Sequence, residues 1–231
     1  MGSIAREVLT EDVTKVVITL EGIPAVGKST VAKLLEEEHD YIRVPEVNEL
    51  FPERPIPEPL NWYASKQLER NIIAMRHQKS ILDGDIFQVA WLSWIFPERG
   101  FINFADSLEF FLRNTNSIQI PSFFVYLSVT DEIRYEREKE REARRGHNHQ
   151  QFLNKYKRYE NMYYPQRALF ESINNEYPGL VLFLNNVNSE ESVKEIIQKG
   201  PQDIPSTSEF ITWLNNWLSH NSAVSFSANV L

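Results

Sequence analysis

The sequence predicts an α/β protein: a five-stranded parallel sheet with helices on both of its faces. Three observations lead there. Strand-like and helix-like segments alternate from about residue 15 to about residue 198, and such alternation winds a parallel sheet through right-handed crossovers. The β-branched run Lys15-Val16-Val17-Ile18-Thr19-Leu20 stops at Gly22, and a helical pattern begins at Gly27-Lys28-Ser29. The run from Phe123 to Val129 is almost wholly apolar, as suits a strand covered on both faces.

Taken in order, residues 1–14 are polar and read as a short lead-in. The first strand covers about 15–20 and the first helix about 28–38, with Val31, Leu34 and Leu35 on one face. A short strand from Tyr41 to Val44 ends at Pro45-Glu46. Pro52, Pro55, Pro57 and Pro59 then forbid regular structure between Phe51 and Leu60. The second helix spans about 61–78, with Asn61 as its cap and Trp62, Tyr63, Leu68, Ile72 and Met75 along it. A third strand, Ser80 to Asp83, ends in Gly84-Asp85, and helices at about 86–95 and 103–114 are separated by Pro97 and Gly100. After the fourth strand at Phe123–Val129, a charged helix at about 131–145 and a second at about 150–175 flank Gly146-His147-Asn148-His149. A fifth strand, Gly179 to Leu184, leads through Asn185-Asn186 to a helix near 189–198. Residues 1–200 therefore read as one unit with a lid at about 137–150. Residues 201–231 read as a linker, a short amphipathic helix from Phe210 to Leu218 and a loose tail.

Gly22 to Ser29 spell G-x-x-x-x-G-K-S between a strand and a helix, the setting that a phosphate-binding P-loop requires. Its glycines let backbone N–H groups turn inward around a polyphosphate at a helix N-terminus. The cradle is Gly22, Ala25, Val26, Gly27, Lys28, Ser29 and Thr30; Lys28 reaches the outer phosphates and the Ser29 hydroxyl ligates Mg²⁺. The motif predicts a nucleoside triphosphate, and with the alternating elements it predicts the three-layer P-loop NTPase fold. Ligands in such folds bind at the carboxyl ends of the strands, where the P-loop, Glu46, Asp83 and Asn185 all fall.

Other residues at that edge suit phosphoryl transfer. Glu46 is placed to accept the proton of an attacking hydroxyl, or is an ordinary acidic loop residue. Asp83 at the end of a buried strand suits Mg²⁺ and the substrate pocket, with a helix cap as the alternative, and Asp85 suits either the ion or, in particular, the cap. Arg134, Arg137, Arg141 and Arg144 recur at helical spacing with Arg145 beside them; they form either a lid over the γ-phosphate or a solvated, ion-paired face. Trp62, Tyr63 and Gln67 share a helix face that serves a core or clamps a planar base. His147 and His149 lack a third ligand and read as solvated rather than metal-binding.

Composition excludes several classes. The formal net charge of −8 argues against a nucleic-acid surface. There is no cysteine, hence no disulfide and no thiol chemistry. No apolar run is long enough to span a bilayer, and the N-terminus has no signal-peptide core; a cytoplasmic protein with no membrane partner is expected. A GTPase would carry Asn-Lys-x-Asp, whereas Asn154-Lys155-Tyr156-Lys157 lacks the aspartate. An AAA-type ATPase would carry Asp-Glu after the third strand, whereas Asp83 precedes glycine. Trp91, Trp94 and Phe110 suffice for a homodimer face, although a core would use them as well.

The order of these features resembles the deoxynucleoside kinase and thymidylate kinase group. The features are the P-loop, Pro45-Glu46 after strand two, the Trp62/Gln67 helix, an acidic turn after strand three, Val125-Tyr126-Leu127-Ser128-Val129 and the arginine-rich lid; the similarity spans about residues 15–198. The resemblance implies an ATP- and Mg²⁺-dependent kinase in which Glu46 is the general base and Lys28 with Arg137 or Arg141 stabilises the transferring group. It implies that Gln67 with Trp62 or Tyr63 contacts a nucleobase, and that Asn186, within Asn185–Asn188, lies near the adenine of ATP. That group carries Glu-Arg-Ser or Asp-Arg after strand three, where this chain has Asp83-Gly84-Asp85. The small-molecule acceptor implied is a (deoxy)nucleoside or nucleoside monophosphate, with an antibiotic or other hydroxylated metabolite as the alternative, and a regulatory P-loop switch as the alternative of another class.

Overall fold

A computed structural model describes residues 15–59, 61–99 and 102–227. The expectations for residues 1–14, for Leu60, for Gly100 and for the tail beyond 227 lie outside the described residues. The elements run β1 Val16–Glu21, α1 Lys28–His39, β2 Ile42–Val44, α2 Val47–Leu50, α3 Trp62–Ala74, β3 Lys79–Asp83, α4 Gln88–Ile95, α5 Phe104–Leu112, β4 Phe123–Ser128, α6 Asp131–Arg144, α7 His149–Glu176, β5 Val181–Asn185, α8 Ser189–Lys199, α9 Thr207–His220 and α10 Ala223–Ser227.

All five strands are parallel, in the order β2-β3-β1-β4-β5. The α/β sheet expected from the alternation of elements is thus the sheet observed. β1 lies at the centre, and every residue from Val17 to Glu21 is buried, as both faces of the sheet are covered. The register pairs Leu20 with Asp83 and Glu21 with Tyr126, so the ends of β1, β3 and β4 finish side by side. The P-loop leaves the sheet at that edge.

The core is rich in aromatic rings. Phe124 of β4 packs edge-on against Phe170 of α7 at 5.6 Å and stacks with Phe210 of α9 at 6.0 Å. Phe210 also meets Phe87, 5.5 Å away, just ahead of α4. Offset and edge-to-face ring pairs of this kind add about 0.5–1.5 kcal/mol each to the area they bury. Trp91 and Trp94 are buried inside this same chain, the latter against Trp217 at 5.3 Å and donating its indole N–H to the Asn221 carbonyl at 2.9 Å.

Three details depart from the expected elements. α2 forms in a stretch where no helix is expected: Glu46 in extended conformation opens one turn of helix that Phe51 closes. α3 stops at Ala74, and β3 begins at Lys79. At the carboxyl end, α9 runs longer than Phe210–Leu218, with Ser206 capping it by accepting from the Glu209 N–H at 3.3 Å, and α10 occupies part of the stretch expected to be loose.

Candidate functional site

The P-loop geometry follows from what its glycines permit. Gly22 has φ +124°, and a Cβ there would lie 2.2 Å from the carbonyl oxygen of Leu127. Gly27 has φ +96°, and its Cβ would meet the Asn186 amide nitrogen at 2.3 Å. Both positions admit only glycine, on conformational and steric grounds together. Ala25 is also left-handed, at φ 70°, local strain of about 1–3 kcal/mol of the kind that clusters at ligand clamps. Gly27 precedes α1, so the loop's N–H groups and the positive end of the helix dipole converge where a phosphate would sit. Lys28 reaches back across the loop and donates to the carbonyls of Gly22 at 2.6 Å and Ile23 at 3.4 Å.

Asn186 has a position that sequence alone does not reveal. Its side chain is fully buried behind the loop, donating to the Val26 carbonyl at 2.7 Å and accepting from Ser192 Oγ at 2.9 Å. It braces the phosphate cradle from the end of β5.

The acidic side of the site is built at the ends of β2 and β3. Ser29 Oγ lies 3.5 Å from Asp83 Oδ2, which brings the two expected Mg²⁺ ligands together. Two hard oxygen donors beside a phosphate cradle are the donor set that Mg²⁺ takes, so the residues fit that ion. Asp83 also accepts from Arg43 Nη2 at 2.8 Å, and Arg43 binds Glu49 through both terminal nitrogens at 3.2 and 3.1 Å. Glu46 opens α2 without capping it through its side chain, and its carboxylate lines the same cavity as Lys28, Ser29 and Asp83, a space of about 430 Å³.

Arg70 of α3 stands beneath this group. It is fully buried and donates to the carbonyls of Pro45 at 2.7 Å, Asp83 at 2.7 Å and Gly84 at 3.2 Å. One guanidinium thus fixes the peptide before Glu46 and the turn after β3. Burial lowers its pKa from the ordinary arginine value, opposed by the charges of Tyr63, Glu46, Asp83 and Asp85. Gln67, expected to contact a base, is buried and accepts from Arg70. Trp62 and Tyr63 are half-buried, 6.3 Å apart, with the Arg54 guanidinium over both rings at 5.3 and 5.5 Å. None of Trp62, Tyr63 and Gln67 lines the phosphate cavity.

The lid arginines divide. Arg137 spans from α6 to the carbonyls of Val26 at 3.5 Å and Asn186 at 3.4 Å. Arg141 lines the cavity, together with Arg145 and Tyr159, neither of which the helical spacing singles out. Arg144 is exposed and donates to the Glu140 carbonyl at 3.4 Å. Arg134 is buried with its guanidinium 3.7 Å from the centre of the Tyr156 ring, joining α6 to α7. Spacing groups these arginines on one helix; in the fold Arg134 turns to α7, Arg137 to the loop carbonyls, and Arg141 and Arg145 to the cavity.

Behind the P-loop lies a second acidic group. Glu21 is 1% exposed; it accepts from the backbone N–H of Asp85, from Gln166 Nε2 at 2.9 Å and from the Gly22 N–H at 3.4 Å. Burial pushes its carboxyl far up, with the charge of Asp85 adding and that of Lys28 opposing. Asp85, equally buried, is raised by the same desolvation despite bonds from backbone N–H groups and the Trp91 indole.

Comparison with known proteins places the family. A family model described as an AAA domain matches residues 18–156, more than half of the chain, and the chain belongs to that family. The assignment runs against one expectation from sequence, since Asp83 is followed by glycine rather than by glutamate, yet the match spans both positions. Two solved structures similar to the chain are deoxyadenosine kinases from M. mycoides. The one with bound dATP shares 12% identity at a TM-score of 0.48, covering 79% of this chain and 98% of that one. The one with products dCMP and a flexible dCDP bound shares 16% at 0.47, covering 79% and 97%. No curated protein matches the sequence. No described helix is long and apolar enough to cross a membrane.

Proposed function

We propose that the protein is a kinase that transfers the γ-phosphate of ATP to a hydroxyl of a small molecule, with a (deoxy)nucleoside or nucleoside monophosphate as the first acceptor to test. The observation that carries this proposal is the convergence of Lys28, Ser29, Asp83, Glu46 and Arg141 on one cavity. A carboxylate facing a phosphate cradle is what an alcohol acceptor needs and what a pure nucleotide-binding module does not. In this mechanism Glu46 takes the proton as the acceptor oxygen bonds to the γ-phosphorus and the bond to the β,γ-bridging oxygen breaks. Lys28 and Arg141 hold the charge spread over the transferring group, and Arg137 keeps the loop carbonyls in place. Ser29 and Asp83 would hold Mg²⁺, which neutralises phosphate charge when bound.

The two similar structures are named for a nucleoside acceptor of their own. The Asp83-Gly84-Asp85 turn keeps an antibiotic or another hydroxylated metabolite on the panel. The AAA-domain family supports a second proposal, ATP hydrolysis used as a switch, in which water replaces the acceptor.

A coupled ATP-consumption assay with Mg²⁺ across nucleosides, nucleoside monophosphates and hydroxylated antibiotics decides between them. Turnover stimulated by one acceptor and lost in Glu46→Gln supports the kinase. A basal ATPase that no acceptor stimulates overturns it in favour of the switch.

A further inference from the structure

Two carboxylates of α6 sit inside the lid without touching the cavity. Glu142 is 1% exposed and is surrounded by cations from three places. Lys155 of α7 donates to its Oε1 at 2.7 Å, Arg145 Nη1 donates to the same oxygen at 3.1 Å, and Arg141 Nε lies 3.7 Å away. His147, in the turn between α6 and α7, bonds its other oxygen. Glu138, buried one turn earlier, accepts from Arg141 Nη2 at 2.6 Å.

Arg141 and Arg145 line the phosphate cavity, while Glu138 and Glu142 do not. Long cationic side chains on so polar a helix gain little rotamer definition from apolar packing. An anion behind them supplies it instead. Glu142 holds the Arg145 guanidinium by a hydrogen bond and faces Arg141 Nε at 3.7 Å, while Glu138 takes the hydrogen bond of Arg141, and the charge of Glu142 offsets the repulsion among Arg141, Arg145 and Lys155. The protonation state of the carboxylate suits this role. Burial alone would raise its pKa, but the bonds from Lys155 and His147 and the charges of Lys155 and Arg145 outweigh burial and hold it at about 2, so it is fully charged at neutral pH.

We infer that Glu142 is the positioning residue of the lid, a buried anion that holds Arg145 directly, and Arg141 through its charge, towards the transferring phosphoryl group without meeting it. The inference rests on the kinase proposal for what the arginines meet, though the geometry of Glu142 stands apart from it. The bland alternative is that Glu142 merely staples α6 to α7 through Lys155. The two roles separate on Lys155, because removing that lysine cuts the staple and leaves the charge of Glu142 beside Arg145 and Arg141.

The test uses the full chain with Glu142→Gln, Glu142→Asp and Lys155→Met. Glu142→Gln is expected to lower kcat by about 10²-fold, with the KM for ATP changed far less, since a small misplacement of a charge-stabilising group is felt chiefly in the transition state. Glu142→Asp restores part of that loss, and Lys155→Met stays within about threefold of wild type. A second readout needs no turnover: a nonhydrolysable ATP analogue with Mg²⁺ slows tryptic cleavage after Arg141 and Arg145 by about tenfold in wild type and not in Glu142→Gln. The positioning role is overturned if Glu142→Gln keeps the wild-type kcat, if Lys155→Met falls as far as Glu142→Gln, or if the analogue protects both proteins alike. A wild-type protein that transfers phosphate to no acceptor sinks the kinase proposal instead, and tryptic protection then decides the question for Glu142.

Discussion

Arg43 and Asp83 form an ion pair of 2.8 Å between neighbouring strands, at the point where β2 and β3 both release their chains into the site. The pair is unequal: Asp83 is buried, whereas Arg43 keeps about a quarter of its side chain in solvent and holds Glu49 as well. Asp83 therefore faces two claims on one oxygen, from Arg43 and from Ser29.

Removing the arginine takes from a buried carboxylate its direct ion pair and leaves it the Ser29 hydroxyl at 3.5 Å and the charge of Arg70. Arg43→Met is expected to cost about 3 kcal/mol, the low end for breaking a buried pair because Arg43 is partly solvated. Thermal unfolding checks it. If Asp83 is a Mg²⁺ ligand, Mg²⁺ with nucleotide raises the Tm of the variant more than that of wild type, since the ion then supplies the positive charge that the arginine supplied.

Glu46→Gln keeps the shape of the side chain and removes its basicity. The expected loss in kcat is about 10²–10⁴-fold. ATP affinity, measured by calorimetry or a fluorescent analogue, is expected to stay near wild type, because the loop N–H groups, Lys28 and Ser29 are unchanged.

Gly27→Ala is expected to abolish nucleotide binding and to destabilise the fold by about 1–3 kcal/mol, since the new methyl group meets the Asn186 amide at 2.3 Å in a left-handed backbone. Gly146→Ala is its control. That glycine is also left-handed, at φ +74°, but no atom lies within 4 Å of its Cβ, so only about 1–2 kcal/mol of backbone strain is added and nucleotide binding persists. Parallel denaturation and binding curves distinguish the two.

The buried Glu21–Asp85 pair gives stability a definite slope with pH. Both pKa values are raised in the folded state, Glu21 by burial first and the charge of Asp85 second, Asp85 by burial. Groups raised on folding bind more protons folded than unfolded, so their contribution is complete below the ordinary carboxylate range and is lost as pH rises towards neutrality and just beyond. Tm is expected to fall between about pH 5 and 8, and Glu21→Gln to flatten that slope; a wild-type Tm that rises over the same window counts against it.

Sequence made the P-loop legible because its spacing is itself the geometry: glycines where the backbone must be left-handed, a lysine and a serine where phosphate and cation sit. β1 and β4 were legible for a similar reason, since a doubly covered strand reads as a continuous apolar run. α3 shows where this reasoning stops. Leu68, Ile72 and Met75 are only half-buried, while Gln67, Arg70 and Asn71 are fully buried, because Arg70 and Asn71 bind backbone and Gln67 binds Arg70. Asn71 exchanges two 2.9 Å bonds with the backbone of Gln119, and Arg70 takes the carbonyls at the ends of β2 and β3. A polar stripe at helical spacing looks like a wet surface until the strand ends that need those donors are known. Arg43 was hidden in the same way: in β2, Ile42 is exposed and Arg43 turns inward, the reverse of their hydropathy.

The ring contacts of Phe210 carry a consequence for the order in which the molecule can be made. Phe87 and Phe124 belong to the middle of the chain, and the side chain that covers both lies in the last long helix. During synthesis the sheet has all five of its strands once Asn185 has left the ribosome, but one side of its apolar interior stays open until α9 emerges. The nascent chain thus passes through a stage in which the phosphate cradle can be complete while the protein remains adhesive, and the docking of α9 is what ends it.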